Sequence, residues 1–566
     1  MSMELKRVNE SFSVSAQVNE DDLASLAAAG VKSLICNRPD GEAADQPNVT
    51  EIESAAAALG MSLVYLPVVP GDFSARDVDG FLAAMERLPA PVHAYCRTGT
   101  RSITLWSLYQ HRLGVPVSHL LETASGLGYD LSSALQGVEA VLEQPGGRPD
   151  KAAHFDIVIV GAGAAGIAVA SSLIARVKDL SIAIIDPAEV HYYQPGWTLV
   201  GAGVFSQRST VKTMASLIPD GAHWIKAAVG AFEPDQNRVT LEDSRPIYYE
   251  RLIVAPGIKL DWHGVEGLPE TLGHNGVTSN YRFDLAPYTW ELVSKLKAGR
   301  ALFTQPPMPI KCAGAPQKAL YLSADHWHRS GVLNSIQVDF YNAGEVLFGV
   351  KEYVPALMSY IEKYRAQLHF GHRLVKIDGD NKRAWFETSS PDGQKQQVEA
   401  EFDMIHVCPP QCAPDFVRLS PLADAAGWVD VDQNTLKHKR FANIWGLGDA
   451  MNAPNAKTAA AARMQAPIVA NNVLEDLNLV SGIAHYNGYG SCPLTVERGK
   501  IVLAEFGFGG KLLPSFPQWV INGQKPSRLA WILKEKILPP VYWKAMLRGR
   551  EWMVDPEQTK SRTPDT

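Results

Sequence analysis

Cys312 has the surroundings of a reactive sulfur. It lies in the segment KCAGAPQK, residues 311–318, where Lys311 and Lys318 flank it and small residues replace bulky aliphatic ones. The thiolate is the reactive form of a cysteine, and nearby ammonium groups favour it. The alternative is a buried inert thiol, which is the common state of a single cysteine. The pattern favours a nucleophilic sulfur at position 312.

Cys96 lies in a loop that predicts an anion site. It directly follows the apolar run VHAY, and four residues separate it from Arg101, which opens a helical segment. Backbone amides at a helix N-terminus, together with an arginine side chain, bind anions and favour a thiolate. We therefore expect Cys96 to be a nucleophile and Arg101 to bind an anion.

Residues 3 to about 115 resemble the small phosphatase-like domain that is sometimes fused to sulfur-oxidising enzymes. Protein tyrosine phosphatases have five residues between cysteine and arginine, whereas rhodaneses, which carry sulfur as a cysteine persulfide, have four, as this chain does. Sulfur transfer is the favoured interpretation, and phosphate hydrolysis with Asp72 as general acid is the second. Asp72, in PVVPGDFS, equally fits a turn residue, and a degenerate regulatory module is the third alternative.

A glycine-rich segment predicts a dinucleotide site. The apolar run FDIVIV leads into GAGAAG, which contains Gly161, Gly163, Ala165 and Gly166, and then into a helical segment. In such a loop the first glycine permits a tight turn, the second lets backbone amides approach a pyrophosphate, and the third allows close helix packing. Asp186 ends the next strand, where its carboxylate can accept from a ribose 2′-hydroxyl. The alternative is a glycine-rich turn that binds no ligand.

Two later segments resemble the FAD flavoproteins that contain two dinucleotide-binding domains. VAPG contains Pro256 and Gly257, and GLGDA, which contains Gly448 and Asp449, follows a short strand and precedes an alanine-rich helix. The resemblance implies that these residues line an FAD site and that Asp449 holds the ribityl chain. Lys457, in NAKT, either stabilises negative charge on the reduced flavin or is a surface lysine.

The segment that should bind NAD(P)H departs from this family. A second glycine-rich loop is normal there, but the strand ALFTQ runs into Pro306, Pro307, Met308 and Pro309. Proline removes an amide donor and fixes the backbone, so this loop cannot surround a pyrophosphate in the usual way. We therefore expect an electron partner other than a nicotinamide.

Longer sequence words resemble the sulfide:quinone oxidoreductases of mitochondria and many bacteria. The resemblance covers about residues 155–553, and the words are HYYQPGWTLVGAG, KCAGAPQK, DAAGWVDVD, NAKTAAAA, GYGSCPL and YWKAMLRG. It implies that Cys312 lies beside the flavin and accepts sulfide sulfur as a persulfide. It also implies that two electrons pass to FAD and then to a quinone, with ubiquinone the expected one.

One departure concerns the second redox cysteine. The resemblance implies a cysteine one or two residues after the Gly-Asp turn, where this chain has Ala450 and Met451. We therefore expect the usual disulfide to be absent and consider Cys408 and Cys412, in HVCPPQCAP, as candidates to resolve a persulfide. An inert role for the pair is equally open, and a metal site is disfavoured because further ligands are not nearby in the sequence. The sulfur acceptor stays open.

Composition limits the function classes. Hydrophobic residues make up 46% and charged residues 20% of the 566 residues, which excludes a disordered chain and an integral membrane bundle. A net charge of −7 offers no basic field for nucleic acid. The six cysteines are too scattered for a disulfide scaffold. The first residues lack a secretory signal, so we expect the cytoplasm.

The expected architecture is α/β throughout. A small three-layer phosphatase/rhodanese-like domain, residues 1–141, is followed by a linker at 142–154 with the sequence LEQPGGRPDKAAH. Two Rossmann-like folds occupy residues 155–525, an amphipathic segment occupies 526–553, and a loose tail occupies 554–566.

The segment 526–553 predicts contact with a membrane surface. Leu529, Ile532, Leu533 and Ile537 share one helical stripe, and the aromatic residues Trp531, Tyr542 and Trp543 suit an interface. The segment is too short to span a bilayer. We expect peripheral binding to the inner face of the cytoplasmic membrane, and the alternative is a helix that packs on its own domain.

Two other functions stay open. The first is a flavoprotein that has lost sulfide oxidation and acts in electron transfer or redox sensing. The second is a Cys96-dependent phosphatase that the flavoprotein part regulates.

Overall fold

The computed structural model of the chain describes residues 4–43, 46–68, 73, 75–112, 115–132, 134–135, 153–390, 392–551, 553–554 and 557–559. The chain forms two compact units, Met1–Lys151 and Ala152–Thr566. The boundary between them falls within the expected linker, of which residues 142–152 lie outside the described residues.

The first unit is a five-stranded sheet between two helical layers. Its strands follow the order β1-β2-β5-β3-β4, and only the β1–β2 pair is antiparallel. The elements are β1 (Lys6–Arg7), β2 (Phe12–Ser15), α1 (Glu20–Ala28), β3 (Ser33–Cys36), α2 (Val49–Ala58), β4 (Ser62–Tyr65), α3 (Ala75–Arg87), β5 (Val92–Tyr95), α4 (Thr100–Arg112) and α5 (Val117–Gly126).

Two separate hydrophobic cores explain the three layers. Leu23 and Ile52, from α1 and α2, pack on one face of the sheet, while Phe81 and Ile103, from α3 and α4, pack on the other. The central strands SLIC and VHAY are buried along their whole length, as parallel strands covered on both faces must be. The predicted three-layer α/β fold is confirmed.

The second unit contains two larger sheets and several short ladders. Its strands are β6 (Ala153–Val160), β7 (Ile182–Ile185), β8 (Val190–Tyr192), β9 (Val211–Thr213), β10 (Ala222–Ile225), β11 (Val229–Glu233), β12 (Arg238–Leu241), β13 (Pro246–Val254), β14 (Lys259–Leu260), β15 (Val277–Thr278), β16 (Gly299–Gln305), β17 (Ile336–Asn342), β18 (Gln367–Phe370), β19 (Arg373–Asp378), β20 (Arg383–Ser389), β21 (Lys395–Glu401), β22 (Met404–His406), β23 (Gln411–Cys412), β24 (Ile444–Gly446), β25 (Ile483–His485), β26 (Gly490–Glu497), β27 (Lys500–Phe506) and β28 (Glu557–Thr559).

Ten α-helices accompany these strands. They are α6 (Ala164–Arg176), α7 (Trp197–Val200), α8 (Leu268–Thr271), α9 (Ala286–Lys295), α10 (Ala315–Arg329), α11 (Val354–Tyr364), α12 (Asp415–Arg418), α13 (Ala459–Asp476), α14 (Arg528–Ile532) and α15 (Leu538–Lys544), among the described residues.

The two larger sheets are the predicted Rossmann-like folds. The first has the order β10-β7-β6-β13-β12-β11, with β24 added on β13, and β24, β13, β6, β7 and β10 run parallel. The second has the order β15-β22-β16-β17-β18 and is parallel throughout. The loops at the carboxyl ends of β6, β24 and β16 carry the glycine-rich segment, the Gly-Asp turn and Cys312, which is where α/β sheets bind ligands.

Only part of the predicted apolar stripe of the C-terminal segment is exposed to solvent. Leu529, Ile532 and Ile537 are 52%, 48% and 41% exposed, and a π-helix over Leu533–Ile537 separates α14 from α15. Among the described residues, we find no helix that is long and apolar enough to cross a bilayer.

Two expectations about the C-terminus need correction. The aromatic rings of Trp531, Tyr542 and Trp543 are buried, so they do not face an interface. Tyr542 instead hydrogen-bonds through its hydroxyl to the His191 ring at 2.6 Å. The tail is not loose throughout, because β28 pairs antiparallel with β25.

Candidate active site

The glycine-rich loop forms one end of a long cavity. Gly161 has a φ of +101°, and a Cβ there would lie 2.5 Å from the Ala255 carbonyl oxygen. A Cβ on Gly166 would lie 1.8 Å from the Gly161 carbonyl oxygen, so this glycine lets α6 approach the turn. Gly163 is different, because a Cβ would meet no atom within 4 Å and the residue lines the cavity. Ala165 lines the cavity with it.

Asp186 lies at the same end of the cavity. Its carboxylate accepts hydrogen bonds from the amides of Ala162, at 2.6 Å, and Ala188, at 2.8 Å. The carboxylate is thus fixed against the glycine-rich loop. Whether it also accepts from a ribose stays a prediction.

The Gly-Asp turn meets the glycine-rich loop. Gly448 has a φ of +75°, its Cβ would lie 3.0 Å from the Ala165 side chain, and its amide donates to Gln465 Oε1 at 2.8 Å. Asp449, Pro256 and Gly257 line the cavity beside it. Burial raises the pKa of Asp449, although the charges of Lys457 and Lys311 oppose that rise.

Lys457 is buried against this turn. Its ammonium donates to the carbonyl oxygens of Asp449 and Met451, both at 2.8 Å, and lies 4.2 Å from the centre of the Trp428 ring. Burial lowers its pKa to about 8. The alternative of a surface lysine is therefore wrong.

Cys312 lies between the segment that follows the Gly-Asp turn and the start of a long helix. Its amide donates to the Lys457 carbonyl oxygen at 2.8 Å, which ties the cysteine to the Gly-Asp turn. Cys312 lines the cavity, and α10, fifteen residues long, begins three positions later. The positive end of the helix dipole therefore lies close to this sulfur.

Cys492 is the neighbour that the sequence analysis missed. Its sulfur lies 3.5 Å from that of Cys312, and both thiols are free. A Cβ on Gly314 would lie 2.7 Å from the Cys492 sulfur, so only glycine leaves room for this approach. The candidates considered from the sequence are Cys408 and Cys412 and do not include Cys492, whose sulfur contacts that of Cys312. The word GYGSCPL contained the signal, but 180 residues separate the two cysteines.

Lys318 is the counter-ion of this pair. Its ammonium donates to the Cys312 sulfur at 3.0 Å. The hydrogen bond from Cys492 and the charge of Lys318 hold the pKa of Cys312 well below its usual range, although burial opposes them. For Cys492, both the hydrogen bond to Cys312 and burial of the thiol raise the pKa. Cys312 is therefore the thiolate and Cys492 the thiol.

Two further lysines point to the same region. Lys311 donates to Gln194 Oε1 at 2.7 Å rather than to a sulfur, and burial lowers its pKa to about 8. Lys534, in the π-helix, is 4% exposed and donates to the Pro195 carbonyl oxygen at 3.3 Å. Burial and the charge of Lys318 lower the pKa of Lys534 to about 7.

Cys408 and Cys412 lie in different surroundings. Cys408 is buried near Tyr281, its sulfur lies 3.7 Å from Gln411 Nε2, and burial raises its pKa to about 12. Cys412 is in β23, which pairs with β14, and burial raises its pKa as well. The geometry favours Cys492 over either as the partner of Cys312.

The first unit holds a separate cysteine site. Cys96 follows β5, and its sulfur accepts from the Gly99 amide at 3.2 Å. Arg101, in the first turn of α4, donates to the Glu42 carboxylate and to the Val68 carbonyl oxygen, both at 2.9 Å. The hydrogen bond from Arg101 lowers the pKa of Glu42. Asp72 lies outside the described residues.

Glu42 and Arg38 are the residues of this site that the sequence analysis missed. Arg38 Nε donates to Glu42 Oε2 at 2.7 Å, so two guanidinium groups hold one carboxylate. Glu42 occupies the Arg101 fork at which we expected an external anion. Arg38 follows β3, the neighbour of β5, and this strand-end position was the available signal.

Comparison with known proteins identifies the second unit. Sulfide:quinone oxidoreductase of Dictyostelium discoideum mitochondria is 44% identical over 398 residues, which cover 70% of this chain and 86% of that protein. The chain belongs to the sulfide:quinone oxidoreductase family. Residues 155–292 also match the pyridine nucleotide-disulphide oxidoreductase family. The X-ray structure of sulfide:quinone oxidoreductase from Aquifex aeolicus shares the fold, with 20% identity, a TM-score of 0.59, and coverage of 72% of this chain and 98% of that one.

The first unit has a different relative. Residues 4–112 match the phosphatase-like domain of beta-lactamase hydrolase-like protein. The protein of that name from Agrobacterium fabrum is 35% identical over 155 residues, which cover 27% of this chain and 35% of that protein. Within the sulfide:quinone oxidoreductase family, this chain therefore carries an additional phosphatase-like domain.

The cavity fits the FAD of this family. Gly163, where a Cβ would enter open cavity space, and the N-terminus of α6 suit a pyrophosphate. Asp449 and Lys457 stand between this loop and Cys312. These residues would hold FAD and supply a two-electron acceptor in the cavity that Cys312 lines.

Two glycine substitutions separate folding from FAD binding. Gly166→Ala places a Cβ inside the turn and should cost about 2 kcal/mol of stability. Gly163→Ala meets no protein atom and should fold normally but bind FAD about tenfold more weakly. Thermal unfolding of the flavin-free proteins and their flavin content after reconstitution test both expectations. Full flavin occupancy of Gly163→Ala would contradict this placement of the pyrophosphate.

Lys318 sets the pH range in which Cys312 is reactive. Because its charge lowers the pKa of Cys312, Lys318→Met should raise that pKa and reduce the rate of iodoacetamide labelling of Cys312 at pH 7 by about tenfold. The labelling rate of the reduced protein, measured against pH with peptide mass spectrometry, tests this. Lys311→Met is the matched control, since its ammonium contacts Gln194. Equal pH profiles for Lys318→Met and the unmodified chain would refute the role of Lys318.

Proposed function

We propose that the second unit oxidises sulfide and passes the electron pair through FAD to a quinone. The observation that carries this proposal is the 3.5 Å contact between the sulfur of Cys492 and that of Cys312, which lines the cavity that fits FAD. When bound, FAD accepts two electrons and passes them to the quinone.

The two cysteines supply the sulfur chemistry. Sulfide attacks a Cys312–Cys492 disulfide, one cysteine gains a persulfide, and the other leaves as a thiolate. The thiol of lower pKa leaves faster, so Cys312, beside Lys318, is the leaving group and the persulfide forms on Cys492. A persulfide on Cys312, as the sequence analysis expects, is the alternative. After a nucleophilic acceptor takes the terminal sulfur, the two cysteines are again thiols, and closure of their disulfide releases two electrons and two protons. FAD, when bound, would accept those electrons.

An apolar part of the cavity lining, called the quinone end below, suits a quinone. Leu533, Leu538 and Val541 of the C-terminal segment line it, and Leu529, Ile532 and Ile537 are exposed on the same segment. Exposed aliphatic side chains beside Lys536 suit a lipid interface. We propose that this segment rests on a membrane and admits ubiquinone. The inner face of the cytoplasmic membrane stays a prediction.

Anaerobic bleaching of the flavin tests the sulfide reaction. Sulfide should bleach the FAD-loaded protein, and a short-chain quinone should restore the colour. Cys312→Ser and Cys492→Ser should each reduce the bleaching rate at least about 100-fold, because neither can form the disulfide. Peptide mass spectrometry after sulfide treatment identifies the cysteine that carries the extra sulfur. A loss of bleaching in Cys408→Ser and not in Cys492→Ser would contradict the assignment.

For the first unit we propose sulfane-sulfur transfer by Cys96. The four-residue spacing to Arg101 supports this, as does Glu42, which already occupies the arginine fork that a phosphate dianion would need. A sulfane sulfur atom on Cys96 requires only the loop amides as neighbours. Phosphate hydrolysis is the second candidate, and the relatives of this domain carry the phosphatase-like description.

Two assays with Cys96→Ser distinguish these candidates. Incubation with polysulfide should add about 32 mass units, the mass of one sulfur atom, to the Cys96 peptide, and cyanide should then release thiocyanate. Cys96→Ser should lose this signal while sulfide bleaching of the flavin persists. Hydrolysis of an aryl phosphate that requires Cys96, without sulfur loading, would favour the phosphatase instead.

A further inference from the structure

The hairpin that carries Cys492 has two functional faces. In the β26–β27 register, Cys492 pairs with Ala504, and Ser491 pairs with Glu505. Because neighbouring residues of a strand point to opposite faces, Cys492 faces Gly314 while Ser491 and Glu505 face the cavity. The hairpin thus presents a carboxylate to the cavity at the level of the redox cysteines.

Glu505 is buried in a hydrogen-bonded network. It is 4% exposed, and its carboxylate accepts from the Tyr489 hydroxyl at 2.7 Å and from the Ser515 amide at 3.1 Å. The Tyr489 hydroxyl also lies 3.0 Å from the Ser515 hydroxyl. A chain of hydrogen-bonding groups therefore runs from the Ser515 hydroxyl through the Tyr489 hydroxyl to the Glu505 carboxylate. Because Ser515 is only half-buried, the outer end of this chain is accessible to solvent.

The charged neighbours of Glu505 are few. Arg463, on α13, lines the cavity and acts electrostatically on both Glu505 and Tyr489. Tyr353 contacts only the backbone of Glu505. Burying a carboxylate is unfavourable unless hydrogen bonds and charges compensate, so this network keeps an ionisable group inside the cavity.

The network lies next to the quinone end of the cavity. Leu503, two residues before Glu505 on the same face, lines the cavity with Phe516. Leu503 also packs in one core cluster with Trp531 of α14, and Phe516 packs against that cluster. A quinone that enters from the C-terminal segment would therefore bring its head group toward Glu505 and Tyr489.

We propose that Glu505 is a catalytic residue that gives a proton to the quinone, and that Tyr489 and Ser515 reload it. This rests on the proposed function. Two-electron reduction turns both carbonyl groups of the quinone into hydroxyl groups, so each oxygen gains a proton. The overall reaction, in which H₂S and quinone give thiol-bound sulfane sulfur and quinol, conserves both protons. Glu505 moves one of them and leaves no net change in the protein.

The transfer needs no group beyond these three. The Glu505 carboxylate first takes the Tyr489 hydroxyl proton, Tyr489 takes one from Ser515, and Ser515 takes one from solvent. The Glu505 O–H bond then breaks as a quinone oxygen takes this proton, which returns Glu505 to a carboxylate.

Re-oxidation of the reduced flavin by a short-chain quinone tests this proposal in the full-length protein. Dithionite reduces the flavin first, so the test does not depend on the sulfide reaction. Glu505→Gln should slow re-oxidation by about 100-fold, and Tyr489→Phe by about tenfold, since proton transfer from a positioned acid contributes factors of this size. Glu497→Gln is the control, because this carboxylate lies on the same hairpin but bonds to Lys363 and Lys500 outside the cavity lining.

Two readouts distinguish proton transfer from a structural role. The affinity for a redox-inert quinone analogue, measured from the flavin absorbance change, should stay within about threefold in Glu505→Gln. Formic acid should restore part of the re-oxidation rate of Glu505→Gln, because a small acid replaces the missing proton donor. An unchanged rate in Glu505→Gln, a loss of analogue affinity that equals the loss of rate, or no rescue by formic acid would overturn the proposal. Failure of sulfide to bleach the unmodified protein would instead overturn the proposed function.

Discussion

The chemistry of the second unit depends on a buried ion pair between the Cys312 thiolate and the Lys318 ammonium. Taking two charges out of water is unfavourable, and a buried pair is weak evidence for stability. What the pair provides is a sulfur that stays ionised beside a thiol partner 3.5 Å away. The glycine at 314, the helix that starts at Ala315 and the backbone link from Cys312 to Lys457 all place that sulfur.

The second Rossmann-like fold has a cysteine at the place where such folds bind a nucleotide phosphate. At the end of β16, where such folds hold a nucleotide phosphate on a helix N-terminus, this chain places prolines and then Cys312. The same positive helix end that suits a phosphate also suits a thiolate. An anion site of the fold therefore remains, but the anion belongs to the protein.

Local sequence patterns predicted the backbone motifs of the site better than they predicted which charged and nucleophilic side chains lie near one another. The strand-glycine-helix pattern at Gly161 and the Gly-Asp turn at Asp449 are each specified by a few neighbouring residues. Asp449 lines the cavity as expected, and Gly161 supports the turn behind the cavity wall. Lys534 and Glu505 carry no local signal, because their surroundings come from chain segments far away in sequence. The word GYGSCPL marks Cys492 but does not indicate its contact with Cys312, which lies 180 residues away. Asp186 and Arg101 show the reverse problem. Their residue types suggested contacts with a ligand, but in the folded chain Asp186 accepts from the Ala162 amide and Arg101 donates to Glu42.

The π-helix at Leu533–Ile537 determines which side chains of the C-terminal segment face outward and which face inward. Ile532 and Ile537 point outward while Lys534 points inward, and the wider turn accommodates one extra residue between α14 and α15. Each α-helical residue rotates the chain by about 100°. Loss of that extra residue would turn the ammonium outward and an isoleucine toward the sulfurs, so the exposed and the sulfur-facing surfaces share a single register and cannot evolve independently.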